Sequence, residues 1–588
     1  MTDKRSSKGE FDKKGKRDMQ PPTIKKIAKK ISQHGTDRVD DYDWIRVENW
    51  KDVLQDPKNL GQEVREYLEA ENAYTKSHFD KCSGLTKKIG DELVGRIIPT
   101  ESSIPSKHDD WEYWVEYREK GNYPVYKRRH LKSGDEQMVF DGDKEAKGHE
   151  FFDIHGVNHS PDHKYMSYAV DKEGSEYYEI RVREIATGKE FSEVVPQSAG
   201  YCTWSTDCSR FYYIELDDNH KPKKVKCHVL GEDPAKDITV YHEKDDGYFL
   251  NIHKTNSGKF MMITSGNSET SEVQFFDADA KGQPKLNMVR PREAGIQYSV
   301  HHHGDDFYIH TNKDGATEYK IMKTPVAKYQ DKNWQEFLPA RSDTTLEGID
   351  LLKDYMIRYE RHNALSQVVV SDYKGNEYKI EMPDAAYEMG GSTGYEYDTQ
   401  KMRIHYDTMA HPGLTFEVDL KTGKKKVIKE RKLPNGHDPS EYIIEREYIK
   451  ARDGEEVPVT IIRHKSVKPN GKAPLHMYGY GSYGATSPSG FSKNAISLVD
   501  RGIVYAVAHI RGSGDKGEAW HKDGKKLNKK NTFFDFIDAT EAMIEKGYGQ
   551  KGKVTMEGRS AGGMLMGAVM NMRPDLYGFV IALSLIHI

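Results

Sequence analysis

With 588 residues, 36% of them hydrophobic, the chain is too long for one ordinary core and apolar enough to fill several. Its 89 basic and 93 acidic side chains leave a net charge of −4, which excludes a general electrostatic grip on nucleic acid. A mean hydropathy of −0.83, with no stretch near the roughly 18 apolar residues of a span, excludes a helical membrane protein. Four cysteines, Cys82, Cys202, Cys208 and Cys227, lack C-x-x-C spacing and predict free thiols in a reducing compartment rather than a disulfide scaffold.

The first 20 residues are basic and polar without an apolar segment, so they predict a disordered basic leader, not a secretory signal, and a cytoplasmic protein. Residues 21–82 predict an N-terminal helical segment, with DYDWIRV and above all EVREYLEAENAYTKSHF as helices. From 83 to 432 the texture changes to short alternating strands such as YWVEYRE, YMSYAV, EIRVREI and FYYIEL, separated by turns such as DKEGSE and NKDGAT. Strand starts recur near Trp111, Asp162, Asp207, Ser257, Asp305, Asp354 and Thr399, at intervals of about 45 to 51 residues. That period is the mark of propeller blades, and seven anchors predict a seven-bladed β-propeller over a tandem of β-sandwiches.

KLPNGHDPSEY reads as a linker, and residues 433–588 as an α/β domain with a mostly parallel sheet. Here EVPVTIIRH, APLHMY and GIVYAVAHI are strands, TFFDFIDATEAMIEKGYG is an amphipathic helix, and KVTMEGRSAGGMLMGAVMNM is strand, sharp turn and helix. The last segment has the form of a nucleophile elbow: a strand presents Ser560, Gly558, Gly562 and Gly563 allow the tight turn, and a helix begins at the backbone N–H of Ala561, a candidate oxyanion donor. Tyr478 to Gly484, YGYGSYG, follows an earlier strand of the same sheet. Its tyrosines either donate to an oxyanion or pack a domain seam with their hydroxyls wet.

Together RVDDYDWIR, YLEAENAY, YSVHHHGDDFYIHTN, ARDGEEVPV, YGYGSYG, AHIRGSG, NTFFDFIDA, EGRSAGGMLMGAV and NMRPDLY resemble the prolyl oligopeptidase family of serine peptidases, and within it the oligopeptidase B branch. The resemblance runs from about Pro21 to Val580. It implies a propeller covering an α/β-hydrolase domain, on which the N-terminal segment packs. It implies Ser560 as nucleophile, Tyr480 and Ala561 as oxyanion donors, and short peptides cleaved after Arg or Lys as substrates. Prolyl or acylaminoacyl peptidase specificity, or a non-catalytic peptide-binding propeller, are the alternatives.

The resemblance also places the triad Asp and His well beyond Ser560, and neither is found in this chain. His587 follows Ser560 but is not expected to act as base, and the LSLIHI tail departs from the family pattern. The chain as written is therefore expected to be a C-terminally truncated, inactive form. Pro488 and Gly490 stand where an acidic pair would favour dibasic substrates. His301, His302 and His303 alternate faces of a strand, so they cannot converge on one ion, and neither metal nor cofactor is expected. Arg511, Gly512 and Gly514 do not make a phosphate loop, and Glu173 and Glu176 read as a solvated turn.

Overall fold

The computed structural model describes residues 19–583. The basic leader falls almost wholly outside them, as does His587. The chain forms two compact units, one ending at Gly95 and one beginning at Arg96. The first contains the antiparallel hairpin Lys29–Gln33 and Thr36–Asp40 and two longer helices, Gln62–Phe79 and Ser83–Gly95. DYDWIRV contributes only a single 3₁₀ turn at Asp43–Ile45. The residues from Ser83, read from sequence as the start of the propeller, are helical, and the first propeller strand is Ser106–His108.

Residues 106–430 build antiparallel meanders around a ring. Each of the seven sequence anchors opens a strand or lies within three residues before one: Trp111–Glu116, Tyr165–Asp171, Arg210–Leu216, Phe260–Gly266, Asp306–Thr311, Tyr355–His362 and Lys401–Asp407. Seven separate sheets do not result. There are five four-stranded sheets, at 106–141, 249–290, 298–338, 344–379 and 388–430, and one of seven strands at 153–242. The cause is the ten-residue strand Val195–Trp204, which pairs with Tyr178–Glu184 through its first half and with Arg210–Leu216 through its second. The register breaks where Gln197 and Gly200 take positive φ, so one strand serves two neighbours.

The hydrophobic clusters show why the sheets stack. Tyr212, Ile214 and Val225 pack with Ile252, Met261 and Phe276 of the next sheet, and Ile357 and Val368 pack with Met402 and Ile404. No sheet covers its own faces, so each depends on its neighbours. The ring closes through side chains: Arg403 donates to the Ile104 and Pro105 carbonyls and to Ser106 Oγ, Lys429 donates to the Ser102 carbonyl, and Arg431 pairs with Glu101.

The three adjacent histidines alternate faces. His302 is buried with Nδ1 2.7 Å from Ser257 Oγ, while His303 stacks on Tyr373 and meets the Tyr397 hydroxyl at 2.7 Å. Burial pushes both His302 and His310 down to about 4. A histidine depressed in the fold binds fewer protons than in the unfolded chain, so its stabilisation is complete above about pH 6.5 and is lost as pH falls toward 4. Thermal melts should therefore show Tm falling between pH 7 and 4.5, and falling less in the His302→Gln/His310→Gln variant. A Tm flat across that window would contradict the assignment.

The C-terminal part is a six-stranded sheet, labelled in chain order β1 (Tyr442–Lys450), β2 (Glu456–His464), β3 (Leu475–Tyr478), β4 (Val504–Ala508), β5 (Val554–Arg559) and β6 (Tyr577–Leu583). The strand order is β1-β2-β4-β3-β5-β6, antiparallel through β1, β2 and β4 and parallel through β4, β3, β5 and β6. Val457, Val459, Ile461, Met477, Ala506, Ala508 and Met556 are fully buried, the near-continuous apolar reading of a sheet covered on both faces. Helix α1 (Lys530–Glu545) contributes Phe536, Ile537 and Met543 to that core, and helix α2 (Ala561–Met572) contributes Leu565, Met566 and Val569.

Carboxylates of the propeller meet backbone amides of this domain. Glu388 accepts from Ser489 N at 3.0 Å, Asp407 from Phe491 N at 2.9 Å, and Glu318 from the Glu518 and Ala519 amides at 3.1 Å each.

Candidate active site

Strands β3 and β5 are parallel neighbours, with Tyr478 opposite Glu557. Their carboxyl ends therefore open on the same edge of the sheet, where loops converge in such folds. Tyr480 lies two residues past one strand's last pair and Ser560 three past the other's. The loop and the turn touch: Gly479 N donates to the Glu557 carbonyl at 3.1 Å, and a Cβ placed on Gly562 would lie 3.4 Å from the Tyr480 ring.

Ser560 stands between β5 and α2 with φ 55° and ψ −123°, a backbone conformation that costs a non-glycine residue about 1–3 kcal/mol. It persists because its surroundings hold it. Ser560 N donates to the Leu583 carbonyl at 2.8 Å, and its own carbonyl accepts from Gly563 N at 2.7 Å, closing the first turn of α2. Ala561, Gly562 and Gly563 are buried in that turn. The Ala561 amide, as a first-turn N–H, has no acceptor within its own helix.

The Tyr480 hydroxyl is raised above the usual phenol range, first by burial and then by neighbouring Tyr483, and an interaction with the Ser560 side chain acts in the opposite direction. Tyr480 thus stays a neutral hydroxyl donor beside Ser560. Of the other tyrosines in YGYGSYG, Tyr478 is half-buried within β3 and Tyr483 is largely exposed at φ 58°.

Two further residues brace the loop. Lys529, which no sequence motif singled out, donates from Nζ to the Gly481 carbonyl at 2.6 Å and Ser482 Oγ at 2.7 Å, and burial pushes its ammonium down to about 8. The signal was present only as a lysine before NTFFDFIDA, and its reach back over 48 residues is a product of the fold. Arg511 belongs to the buried scaffold: its guanidinium grips Asp535 of α1 at 2.6 and 2.9 Å and Asp453 at 2.6 Å. Glu173 and Glu176 are exposed in a turn whose amides donate to Asp171. Among the described residues no helix is long and apolar enough to cross a membrane.

The profile of the "Prolyl oligopeptidase, N-terminal beta-propeller domain" matches residues 21–431, and that of the "Prolyl oligopeptidase family" matches residues 489–587. The chain belongs to the prolyl oligopeptidase family. Among curated members of the prolyl oligopeptidase family it is 35% identical to dipeptidyl aminopeptidase BI of Pseudoxanthomonas mexicana, over 96% of this chain and 79% of that one. It is 31% identical to protease 2 of Moraxella lacunata, over 96% and 80%. Among solved structures of the family, oligopeptidase B from Leishmania major superposes with a TM-score of 0.86 at 28% identity, covering 95% of this chain and 81% of that one. Oligopeptidase B from Trypanosoma brucei with covalently bound antipain gives 0.85 at 28% identity, over 95% and 82%. The family makes this a propeller joined to an α/β-hydrolase domain of the serine peptidase class.

Proposed function

We propose that the protein is a serine oligopeptidase in which Ser560 attacks a peptide carbonyl to form an acyl-enzyme. The observation that carries this is the strained Ser560 backbone at the junction of β5 and α2, with Tyr480 alongside. The Tyr480 hydroxyl and the Ala561 N–H would donate to the oxyanion of the tetrahedral intermediate, and the free end of α2 adds its dipole. Gly558, Gly562 and Gly563 provide the closeness of the elbow. Residues 433–588 are taken as the catalytic domain and, once the helical residues from Ser83 are set aside, 106–432 as the propeller region. Its seven-stranded sheet is read as two repeats sharing Val195–Trp204, which makes seven blades.

Short peptides are the proposed substrates, with Arg or Lys before the scissile bond, supported by the likeness to two oligopeptidase B structures. The 35% identical relative named a dipeptidyl aminopeptidase favours a second reading, release of dipeptides from a peptide amino terminus. In a form of the protein that supplies the triad Asp and His, a fluorophosphonate probe should label Ser560 and leave Ser560→Ala unlabelled, whereas the chain as given should label only slowly. Equal labelling of the variant removes the nucleophile assignment. On hydrolysed substrates, Tyr480→Phe should lower kcat about 10²–10³-fold, the usual effect of one oxyanion donor. A fluorogenic panel with Arg, Lys or Pro before the bond, each with free or blocked amino termini, separates endopeptidase from dipeptide release.

A further inference from the structure

Three histidines from two propeller sheets meet away from the elbow. His108 ends the first strand of the first sheet, Ser106–His108. His159 ends the first strand of the seven-stranded sheet, Asp153–His159, and His163 lies in the turn that follows. One ligand nitrogen from each falls within 4.8 Å of the others. Sequence spacing gave no hint, since His108 and His159 are 51 residues apart.

The cluster lies near the axis of the ring. Tyr395, from the loop after the first strand of the last sheet, stacks on His108 at 5.1 Å and also meets His159 edge-on at 5.1 Å. A loop of the last sheet can reach past the first sheet to the second only where the sheets converge. Tyr397 of the same loop reaches His303 of a later sheet at 2.7 Å, consistent with that placement.

We infer that His108, His159 and His163 form a binding site for a divalent transition metal of the zinc class, which would tie the first two propeller sheets together at the axis. Three imidazoles suit zinc, copper or nickel, and three protein ligands with water in the fourth position is a known zinc arrangement. A metal would take over lone pairs that now accept hydrogen bonds. His108 Nδ1 and His159 Nε2 are 2.7 Å apart, so one of the two nitrogens offers a lone pair and the other binds once its ring takes the alternative tautomer, with the hydrogen on its other nitrogen. His163 Nε2 lies 3.2 Å from Asp109 Oδ2, which accepts its hydrogen, so Nδ1 carries the lone pair and accepts from the Tyr113 hydroxyl at 2.9 Å. A carboxylate behind a histidine is the outer-shell support usual for metal ligands.

The rings are also braced. Tyr113 stacks on His159 at 3.8 Å with planes 4° apart, and Tyr395 lies nearly parallel to His108. Stacking fixes the rings through their faces, not through their in-plane lone pairs. Arg128 and Lys254 act against a cation here, while Asp109 and Glu396 act for it. Metal–nitrogen bonds of about 2.0–2.1 Å place two bound nitrogens roughly 3.3 Å apart, so His108 and His159 must separate by roughly half an ångström on loading.

The test uses the full chain prepared without a polyhistidine tag, titrated with Co²⁺ and then Zn²⁺. The expected result is one tight equivalent of Co²⁺ with a visible d–d band, displaced by Zn²⁺, and a Tm that rises with metal. His108→Asn and His163→Asn, both at strand ends or turns, should lose that band while keeping the circular dichroism of the parent. Asp109→Asn should weaken binding about 10–100-fold. Absence of a tight equivalent in the parent chain, or an unchanged band and stoichiometry in both histidine variants, would overturn the site.

Discussion

With the triad Asp and His supplied, alanine at position 558 is expected to slow labelling of Ser560 about 100-fold while leaving the propeller folded. A Cβ added at Gly558 would lie 2.3 Å from the Gly562 carbonyl oxygen, 2.7 Å from the Gly562 carbonyl carbon and 3.1 Å from the Gly479 carbonyl oxygen. All three are backbone atoms, so no rotamer change relieves the clash. The first belongs to the opening turn of α2, the last to the loop that carries Tyr480. Making room separates the elbow from that loop, and both flank Ser560. A displacement near 1 Å costs reactivity on the order of 10²-fold, and the overpacking itself costs about 1–3 kcal/mol. Probe labelling rate and a urea melt measure the two effects separately. A labelling rate within threefold of the parent would mean that the elbow tolerates a side chain, and the tight-turn account would fall.

The second large effect concerns Arg511. Its side chain and that of Asp535 are 5% and 0% exposed, and the guanidinium meets the carboxylate through two nitrogens while the Arg511 amide adds a third bond at 2.9 Å. Burial raises Asp535 while Arg511 holds its charge against it, so the pair is charged only because both partners are present. Arg511→Ala leaves a carboxylate uncompensated at the base of α1 and should destabilise the hydrolase domain by about 3–5 kcal/mol. Arg511→Lys should recover part of this, since a lysine keeps the charge but not the two-pronged geometry. Chemical denaturation followed by the domain's own signal reads both. A loss under about 1 kcal/mol for the alanine variant would show that the pair does not hold this core.

The elbow was legible because its parts are contiguous: strand, small residues, serine and helix all fall within Val554 to Met572. The propeller was legible through a period long enough to count, and each counted anchor does mark a strand. Sheet number was not, because whether two repeats share a strand depends on the length and twist of Val195–Trp204, set by positive φ at Gln197 as much as at Gly200. A non-glycine residue in that conformation leaves no trace in composition. Tyr480 could be singled out among its neighbours only by family resemblance, since 80 residues separate it from Ser560. Lys529 and the histidine trio escaped for the same reason: their contacts join segments whose proximity is created by stacking, not by spacing.

The strand that pairs on both sides within the seven-stranded sheet has a mechanical consequence. A closed ring under strain parts at its weakest joint. Where Val195–Trp204 runs, one strand carries main-chain bonds to neighbours on both sides across its register breaks, so that joint is held by backbone as well as side chains. Between the first and last sheets each partner keeps its own four strands, and the joint is a zip of arginine and lysine side chains on carbonyls and on Glu101. Of these two joints, widening of the ring falls on the zip, and raised salt, which weakens its ionic teeth, should loosen it before it loosens the seven-stranded sheet.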